Sequence, residues 1–302
     1  MRIVFLGTGG TYPSKLRNVT SIAVQMPGEV LMFDCGEGTQ RQLMRSPVSF
    51  MKIKKIFISH LHADHFLGLP GLIQSMSLNG RKDELLIFGP RGLKENVDAM
   101  LSLGYFKSGF EVVSRDLRPG AVVDFHDHRV RSVQADHSIP ALAFSLEEKA
   151  RPGKFDVKRA KALGIPEGPM FRRLQEGKVV TVQGKRVTPG MVLGKPRRGR
   201  KMVYSGDTKP SDRITALANR ADVLIHDCTV DSSHDQLAFD FGHSTAAQAA
   251  TVAKKAKVRM LFLVHVSPRY EDAGVLEDEA RRIFKNSVVA HDLSEYSVKY
   301  PD

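Results

Sequence analysis

The stretch Ser59-His60-Leu61-His62-Ala63-Asp64-His65 directly follows the apolar run KKIFIS (54–59) of this 302-residue chain. The run predicts a strand, so the three histidines and the aspartate would lie in the loop at its end. Imidazole and carboxylate groups are ligands that zinc prefers, and four donors within six residues can serve two ions. We therefore interpret His60, His62, Asp64 and His65 as metal ligands.

Three further donors follow other predicted strands. His137 comes just after the run Val130–Gln134, Asp207 follows Lys201–Ser205, and His265 ends an apolar run at 261–264. Side chains at strand ends can converge on one edge of a sheet sandwich, and a carboxylate can bridge two cations roughly 3.5–4 Å apart. The pattern predicts a two-metal site in which Asp207 is the bridging candidate.

The rest of the chain alternates short β-branched runs with helical patterns, which is typical of an α/β protein with mixed sheets. Other predicted strands are Arg2–Leu6, Ser21–Gln25, Val30–Phe33, Lys55–Ser59, Leu85–Phe88, Val122–Phe125, Ala141–Leu146, Val223–His226, Met260–Val264 and Val288–Ala290. Predicted helices are Thr39–Met44, Leu69–Ser77, Gly92–Leu103, Arg213–Asn219, Thr245–Lys255 and Val275–Phe284, with Ser244 as a candidate N-cap of the fifth. Gly7-Thr8-Gly9-Gly10 lacks the spacing of a dinucleotide fingerprint and indicates a strand-ending turn, so no nucleotide cofactor is expected.

The positive charge is concentrated in one segment. The chain has 45 Lys and Arg against 33 Asp and Glu, and the window 151–201 contains 15 of the former and three of the latter. This segment is rich in Gly and Pro, which predicts an extended insertion rather than continuous helix. It is either a solvated loop or a polyanion-binding arm. Aromatic residues are sparse there, so contact with phosphates is expected rather than base stacking.

Composition narrows the class of protein. With 42% hydrophobic and 26% charged residues, the chain is neither disordered nor fibrous. No apolar run approaches the roughly 20 residues that span a bilayer, and the N-terminus does not resemble a signal peptide. Only Cys35 and Cys228 are present, which favours a reducing, cytoplasmic location and small buried roles for both. We interpret His126 and His128 as a solvated edge, and His234 and His291 as surface residues.

The ordered motifs HLHADH, His137, Asp207 and His265 resemble those of the metallo-β-lactamase superfamily. Within it, FDCGEGTQRQL (33–43), GIPEGPMF (164–171), GRKMVYSGDT (199–208) and GHST (242–245) are similar to the ribonuclease Z family. The resemblance covers most of the chain. It implies an α/β fold, a four-layered αβ/βα sandwich over residues 1–302, with a basic tRNA-binding arm inserted at 151–199. It also implies a homodimer.

The resemblance implies a role for each matching residue. One zinc would be held by His60, His62 and His137 and another by Asp64, His65 and His265, with Asp207 bridging the two ions. Asp64 would also orient or deprotonate the attacking water, and His243 of GHST would give a proton to the leaving 3′ oxygen. The family usually has a glutamate as partner of that histidine, in the motif HEAT. This chain has Asp227 in the motif HDCT (226–229), with a side chain one methylene shorter. Asp34 would support the metal loop.

The activity implied is zinc-dependent removal of the 3′ trailer from precursor tRNA, leaving a 3′-hydroxyl on the tRNA and a 5′-phosphate on the trailer. Expected substrate contacts are Lys15, Arg17, Gly168, Pro169, Arg172, Arg173, Arg197 and Arg198. Two alternatives are a small-molecule hydrolase of the same fold (lactamase, thioester or sulfate ester), and a tRNA-binding protein with a degenerate site. The basic arm argues against the first alternative and the complete ligand set against the second.

Overall fold

The computed structural model describes residues 1–301, which contain two seven-stranded sheets, one two-stranded hairpin and ten α-helices. The strands are β1 Arg2–Gly7, β2 Ser21–Met26, β3 Glu29–Phe33, β4 Ile53–Phe57, β5 Leu85–Gly89, β6 Val112–Asp116, β7 Val122–Asp124, β8 His128–Gln134, β9 Leu142–Glu148, β10 Val180–Val182, β11 Lys185–Val187, β12 Lys201–Tyr204, β13 Val223–Asp227, β14 Leu261–Val264, β15 Ser287–Val289 and β16 Glu295–Ser297. The helices are α1 Thr39–Arg45, α2 Ala63–Phe66, α3 Leu69–Leu78, α4 Leu93–Leu101, α5 Val157–Ala162, α6 Pro169–Gln175, α7 Asp212–Leu217, α8 Asp235–Phe241, α9 Ala246–Ala256 and α10 Gly274–Ile283.

The strand order explains why the candidate ligands meet. The first sheet has the order β16-β1-β2-β3-β4-β5-β6 and the second β15-β14-β13-β12-β9-β8-β7. In the second sheet β12, β13 and β14 are parallel, while β9 is antiparallel to both β12 and β8. The C-terminal ends of β8, β12, β13 and β14 therefore lie at one edge, which is where open α/β sheets place their sites.

The two sheets pack face to face and each is covered by helices. Between the sheets lies an aromatic core in which the ring of Phe33 is 6.0 Å from that of Phe144 and 6.1 Å from that of Tyr204. Along β1, Ile3 and Phe5 face this core, whereas Val4 and Leu6 alternate to the outer face. Helices α1, α3 and α4 pack on the outer face of the first sheet and α7, α9 and α10 on that of the second. The predicted four-layered sandwich is confirmed.

All predicted strands and helices are present, with ends shifted by a few residues. The unpredicted strands are β6, β10, β11 and β16, and the unpredicted helices are α2, α5, α6 and α8. The N-cap of α9 is Thr245 rather than Ser244, since the Thr245 hydroxyl accepts from the Gln248 backbone and the Gln248 side chain accepts from that of Thr245.

Residues 151–199 are compact rather than extended, which corrects the prediction. Their apolar residues come from α5, α6 and the β10–β11 hairpin and form a separate small core: Ala160, Ile165, Leu174, Val180, Val182, Val187 and Val192. At the base of the segment, the backbones of Arg151 and Arg197 exchange hydrogen bonds of 2.8 and 2.9 Å. The Arg151 guanidinium lies 3.3 Å from the ring centre of Tyr300. The segment thus leaves and re-enters the body at adjacent points.

His128 corrects a second prediction, because it is fully buried rather than solvated. Alternation along β8 turns His128 inwards together with Val130, and its Nδ1 lies 2.7 Å from Asp127 Oδ1. His126 and His291 are exposed, and His234 is half-buried against Asp231. Cys35 and Cys228 are buried free thiols, as predicted. None of the helices in the described part of the chain has the length and apolar character needed to cross a bilayer.

Candidate active site

A first group of donors surrounds the loop after β4. His62 Nδ1 lies 3.0 Å from His60 Nε2 and 3.2 Å from His137 Nε2, and Asp207 Oδ2 lies 3.5 Å from His60 Nε2. His62 follows β4 of the first sheet and His137 follows β8 of the second, so the contact between these two side chains joins the edges of the two sheets. The four side chains can hold one metal ion.

A second group shares Asp207 with the first. The Oδ2 atom of Asp207 lies 3.2 Å from His65 Nε2 and 3.1 Å from His265 Nε2. Asp64 Oδ2 is 3.4 Å from the same nitrogen of His65 and 3.3 Å from that of His265. The Asp207 carboxylate therefore lies between the two groups, and the structure brings together all seven residues expected to bind metal.

The opposite nitrogen of four of these histidines is held by an oxygen. Nδ1 of His65 lies 2.7 Å from Asp34 Oδ2, and Nδ1 of His137 lies 2.8 Å from the Gly242 carbonyl. Nδ1 of His60 and His265 lies 2.9 and 3.0 Å from the hydroxyls of Ser59 and Thr229. Both hydroxyls already donate to a carboxylate, so they accept from the imidazoles. In all four rings Nδ1 carries the proton.

This tautomer directs unprotonated Nε2 atoms into the donor groups, which fits bound cations. His65 Nε2 is buried and has no hydrogen-bond partner among the described residues. Burial lowers the pKa of His65, but the carboxylates of Asp207 and Asp34 outweigh it and raise the pKa well above its ordinary value. Burial lowers the pKa of His60, and the charge of His65 lowers it further. The carboxylates thus favour a positive charge at His65 Nε2, which is either the ring's second proton on that nitrogen or a cation bound to it.

Asp34 fixes the loop from below with one buried carboxylate. It accepts from the backbone N–H of Ser59 (2.6 Å), the hydroxyls of Ser59 (2.7 Å) and Tyr204 (2.6 Å), and His65 Nδ1 (2.7 Å). These contacts are the support expected of Asp34. Tyr204 is an unpredicted member, because its position inside β12 makes it look like an ordinary core residue.

His243 stands beside the donor groups with its own carboxylate. Its Nδ1 lies 2.9 Å from Asp227 Oδ2 and 4.0 Å from Asp207 Oδ2. Burial lowers the pKa of His243, but the charge and hydrogen bond of Asp227 outweigh it and raise the pKa to about 9. The shorter aspartate therefore reaches the histidine directly.

The loop after β1 completes the site. The backbone N–H of Thr11 donates to Asp64 Oδ2 at 2.8 Å, with Thr11 in a left-handed conformation (φ 70°) that is rare for a β-branched residue. Gly10 packs against His265 so closely that a Cβ there would overlap the imidazole. The Gly9-Gly10 pair carries a signal for such a close approach, but its sequence does not show which group is approached.

A cavity of about 690 Å³ opens on these groups. It is lined by Asp64, Asp207, His243 and His265, and also by Leu237, Phe241 and Arg269. Donors of both metal groups and His243 thus face one cavity, whereas Asp227 lies buried behind His243.

Among the expected substrate contacts, Arg17 differs from expectation. Its guanidinium is buried and donates to the Thr8 hydroxyl (2.6 Å) and the Ala290 carbonyl (2.5 Å), so it anchors its loop instead of facing solvent. Lys15 is exposed on the same loop. In the arm, Gly168, Pro169, Arg172 and Arg173 are exposed, Arg197 is half-buried, and Arg198 pairs with Asp222 at 2.6 Å.

Comparison with known proteins agrees with this geometry. A family profile described as "Anti-Pycsar protein Apyc1" matches residues 1–147, and one described as "Beta-lactamase superfamily domain" matches residues 173–266. The chain is 47% identical to the ribonuclease Z of Methanosarcina mazei, covering 100% of both chains. It is 46% identical to that of Methanothermobacter thermautotrophicus, covering 100% of this chain and 98% of the relative.

A solved structure shows the same relationship in three dimensions. The short form of human tRNase Z superimposes with a TM-score of 0.74 at 30% identity, covering 99% of this chain and 100% of the human one. Together with the full-length identities to the two archaeal enzymes, this shows that the chain belongs to the ribonuclease Z family of metallo-β-lactamase-fold enzymes.

Proposed function

We propose that this protein is a two-zinc endoribonuclease that removes the 3′ trailer from precursor tRNA, leaving a 3′-hydroxyl on the tRNA and a 5′-phosphate on the trailer. One observation carries the proposal: two donor groups share Asp207 and face a single cavity together with His243, whose Nδ1 is bound by Asp227. Phosphodiester hydrolysis needs a nucleophile, neutralised phosphoryl charge and a protonated leaving group, and this site has groups suited to each.

The residues divide between holding metal and moving protons. His60, His62 and His137 would hold one zinc, and Asp64, His65 and His265 the other, with Asp207 between them. When bound, the ions neutralise phosphoryl charge and lower the pKa of a coordinated water to about 7. Asp64 would orient or deprotonate the attacking water, which is supported by its position in the cavity lining and by the Thr11 N–H that donates to its Oδ2 atom.

His243 is assigned as the general acid. Asp227 accepts from Nδ1 and fixes the ring, which leaves Nε2 as the nitrogen that can donate to the leaving 3′ oxygen. Asp227 is in turn fixed by the Thr208 N–H (3.0 Å) and the Thr229 hydroxyl (2.9 Å). Asp227 is therefore a positioning residue.

The basic arm at 151–199 supports tRNA as the substrate. Most of its Lys and Arg side chains are exposed, and within residues 1–301 several have no carboxylate within 4.0 Å: Lys154, Lys158, Arg159, Arg173, Lys185, Arg186 and Lys195. Such cations contact phosphates without reading bases, which suits recognition of a folded RNA by its shape. We extend the proposal to a cytoplasmic homodimer in which the arm binds tRNA.

The test is cleavage of a 3′-extended tRNA transcript by the zinc-loaded protein. We expect one cut after the tRNA body, a 3′-hydroxyl on the tRNA fragment and a 5′-phosphate on the trailer. Asp64→Ala should nearly abolish the cut. His126→Ala is the matched control, since His126 is exposed in the turn before β8, at the sheet edge opposite the site. Intact transcript after incubation with wild-type, zinc-loaded protein would refute the proposal.

A further inference from the structure

Phe241 is an exposed aromatic ring in a cavity otherwise lined by polar, ligand and aliphatic groups. It is 62% exposed, and it is the one phenylalanine, tyrosine or tryptophan among the described residues that line the cavity. An exposed phenylalanine leaves apolar area in water that burial against a partner would remove. The position therefore calls for a partner with an apolar face.

The backbone that follows Phe241 is held by contacts of the site. Helix α8 ends at Phe241, and Gly242 reverses the chain with φ +78°. The Gly242 carbonyl accepts from His137 Nδ1 at 2.8 Å, and the His243 N–H donates to the Ala238 carbonyl at 2.7 Å. The Cα position of Phe241 is thus set by a chain segment that is bound to a metal-group histidine and leads directly to the proposed general acid.

Phe239 provides a contrast on the same helix. It is 60% exposed, but it does not line the cavity, and the Lys209 ammonium lies 4.5 Å from its ring centre. That cation–π contact satisfies the face of the Phe239 ring. Exposure at 239 is therefore explained within the fold, whereas exposure at 241 is not.

Arg269 supplies the charge that would accompany an aromatic partner. It is exposed, it is the one lysine or arginine among the described residues that line the cavity, and it has no carboxylate within 4.0 Å in residues 1–301. Its Nε lies 3.2 Å from the Ser267 hydroxyl, two residues beyond His265. A nucleotide carries both an aromatic face and a phosphate.

We propose that Phe241 and Arg269 form a subsite for one unpaired nucleotide beside the scissile phosphate, with Phe241 stacked on the base and Arg269 on an adjacent phosphate. This inference rests on the proposed function. Stacking accepts any base, so the subsite selects for an unpaired strand rather than for a sequence. Phe241 is a substrate-positioning residue that holds the strand across the metal groups.

The test combines enzyme variants with substrates that lack one base. Zinc-loaded wild type, Phe241→Ala, Phe241→Trp and Phe239→Ala are assayed on precursor tRNA that is intact or abasic at the nucleotide on either side of the cut. Base–aromatic stacking predicts that wild type loses roughly 5- to 150-fold in kcat/KM at one of the two abasic positions. Phe239→Ala and Phe241→Trp should show the same dependence, and Phe241→Ala should cleave intact and abasic substrates equally.

The outcomes distinguish failure of the subsite from failure of the proposed function. Equal cleavage of intact and abasic substrates by wild type, or an undiminished base dependence in Phe241→Ala, would overturn the subsite. Arg269→Gln adds an independent measurement, since loss of a phosphate contact should reduce the slope of log K against log salt by about 1. No cleavage of intact precursor by wild type would instead refute the proposed function itself. Unchanged zinc content and melting temperature show that the variants are folded.

Discussion

His243 Nδ1 lies 2.9 Å from Asp227 Oδ2, although the aspartate side chain is one methylene shorter than the glutamate usual at this position in the family. The contact forms because position 227 ends strand β13 at the site edge, and Gly242 turns His243 towards it. The carboxylate is fully buried and also accepts from Thr208 and Thr229. Its distance from the imidazole is therefore set by the sheet and not by a flexible side chain.

We predict that His243→Ala lowers the single-turnover rate constant of cleavage by about 10²–10⁴-fold, the range typical of a lost general acid. Zinc content should remain at the wild-type value, because His243 belongs to neither of the two proposed ligand sets. Metal analysis and kinetics on the same preparation test both statements. Loss of metal in this variant would show that His243 is a ligand.

For Asp227→Asn we expect a smaller version of the same defect with the fold intact. The amide keeps the size of the side chain but cannot provide two acceptor oxygens for Thr208, Thr229 and His243. The His243 ring would then be free to turn. Near-wild-type turnover would remove Asp227 from the mechanism, whereas Asp227→Glu should recover most of the activity.

Two zinc ions per chain are expected by metal analysis of the purified protein. Chelation should lower the melting temperature, since the ions bind the folded donor groups, and zinc should restore it. His65→Ala should lose metal, because His65 is a buried donor between Asp64 and Asp207. Fewer than one ion per chain after reconstitution would contradict the two-metal site.

Gly10→Ala should reduce metal content and activity although it replaces none of the proposed ligands. The new methyl group would overlap the His265 imidazole and force it away from Asp64 and Asp207. Gly190→Ala is the matched control, since its Cβ would meet no atom within 4 Å and its φ is not left-handed. Equal zinc content in the two variants would show that the His265 ring moves without consequence.

Replacing residues 152–196 by a short linker should separate binding from chemistry. Arg151 and Arg197 are backbone-paired, so the chain can be closed there, and every proposed metal ligand lies outside the deleted segment. We expect zinc and hydrolysis of a small activated phosphodiester to be retained and precursor tRNA binding to be lost.

Salt dependence checks the same prediction in the intact protein. Affinity should fall by roughly 10³–10⁵ between 50 and 200 mM salt if 6–10 phosphates are contacted on a duplex. Undiminished processing of precursor tRNA by the protein without the arm would show that the arm is not needed for tRNA binding. Loss of both activities with zinc retained would mean that the arm also shapes the cavity.

The sequence predicted which donor side chains would meet, because the runs before His60, His137, Asp207 and His265 have the character of strands. Strands β8, β12 and β14 end at one edge of the second sheet, which brings His137, Asp207 and His265 together, and His60 follows β4 of the first sheet. The supporting contacts were not predictable in the same way. Tyr204 and Thr229 act through partners distant in the chain, and nothing in their local pattern distinguishes them from ordinary strand and loop residues.

The arm and His128 show the opposite limit. Leu174, Val180 and Val187 look scattered along a basic, Gly-rich segment, yet they meet in one small core because two helices and a hairpin fold together. His128 looks like part of a polar run, but strand alternation turns it inwards. Arg17 is basic in a basic loop and is nevertheless buried. In each case the residue type is visible in the sequence, but the direction in which the side chain points depends on the fold and is not.

Asp64 and His265 face each other across 201 positions of sequence. During synthesis, at about 5–20 residues per second, the earlier donors leave the ribosome long before the last one. A nascent chain therefore carries HLHADH without His265, and the shared carboxylate of Asp207 without one of its partners. The second donor group therefore cannot be complete until β14 and the residue after it have been made.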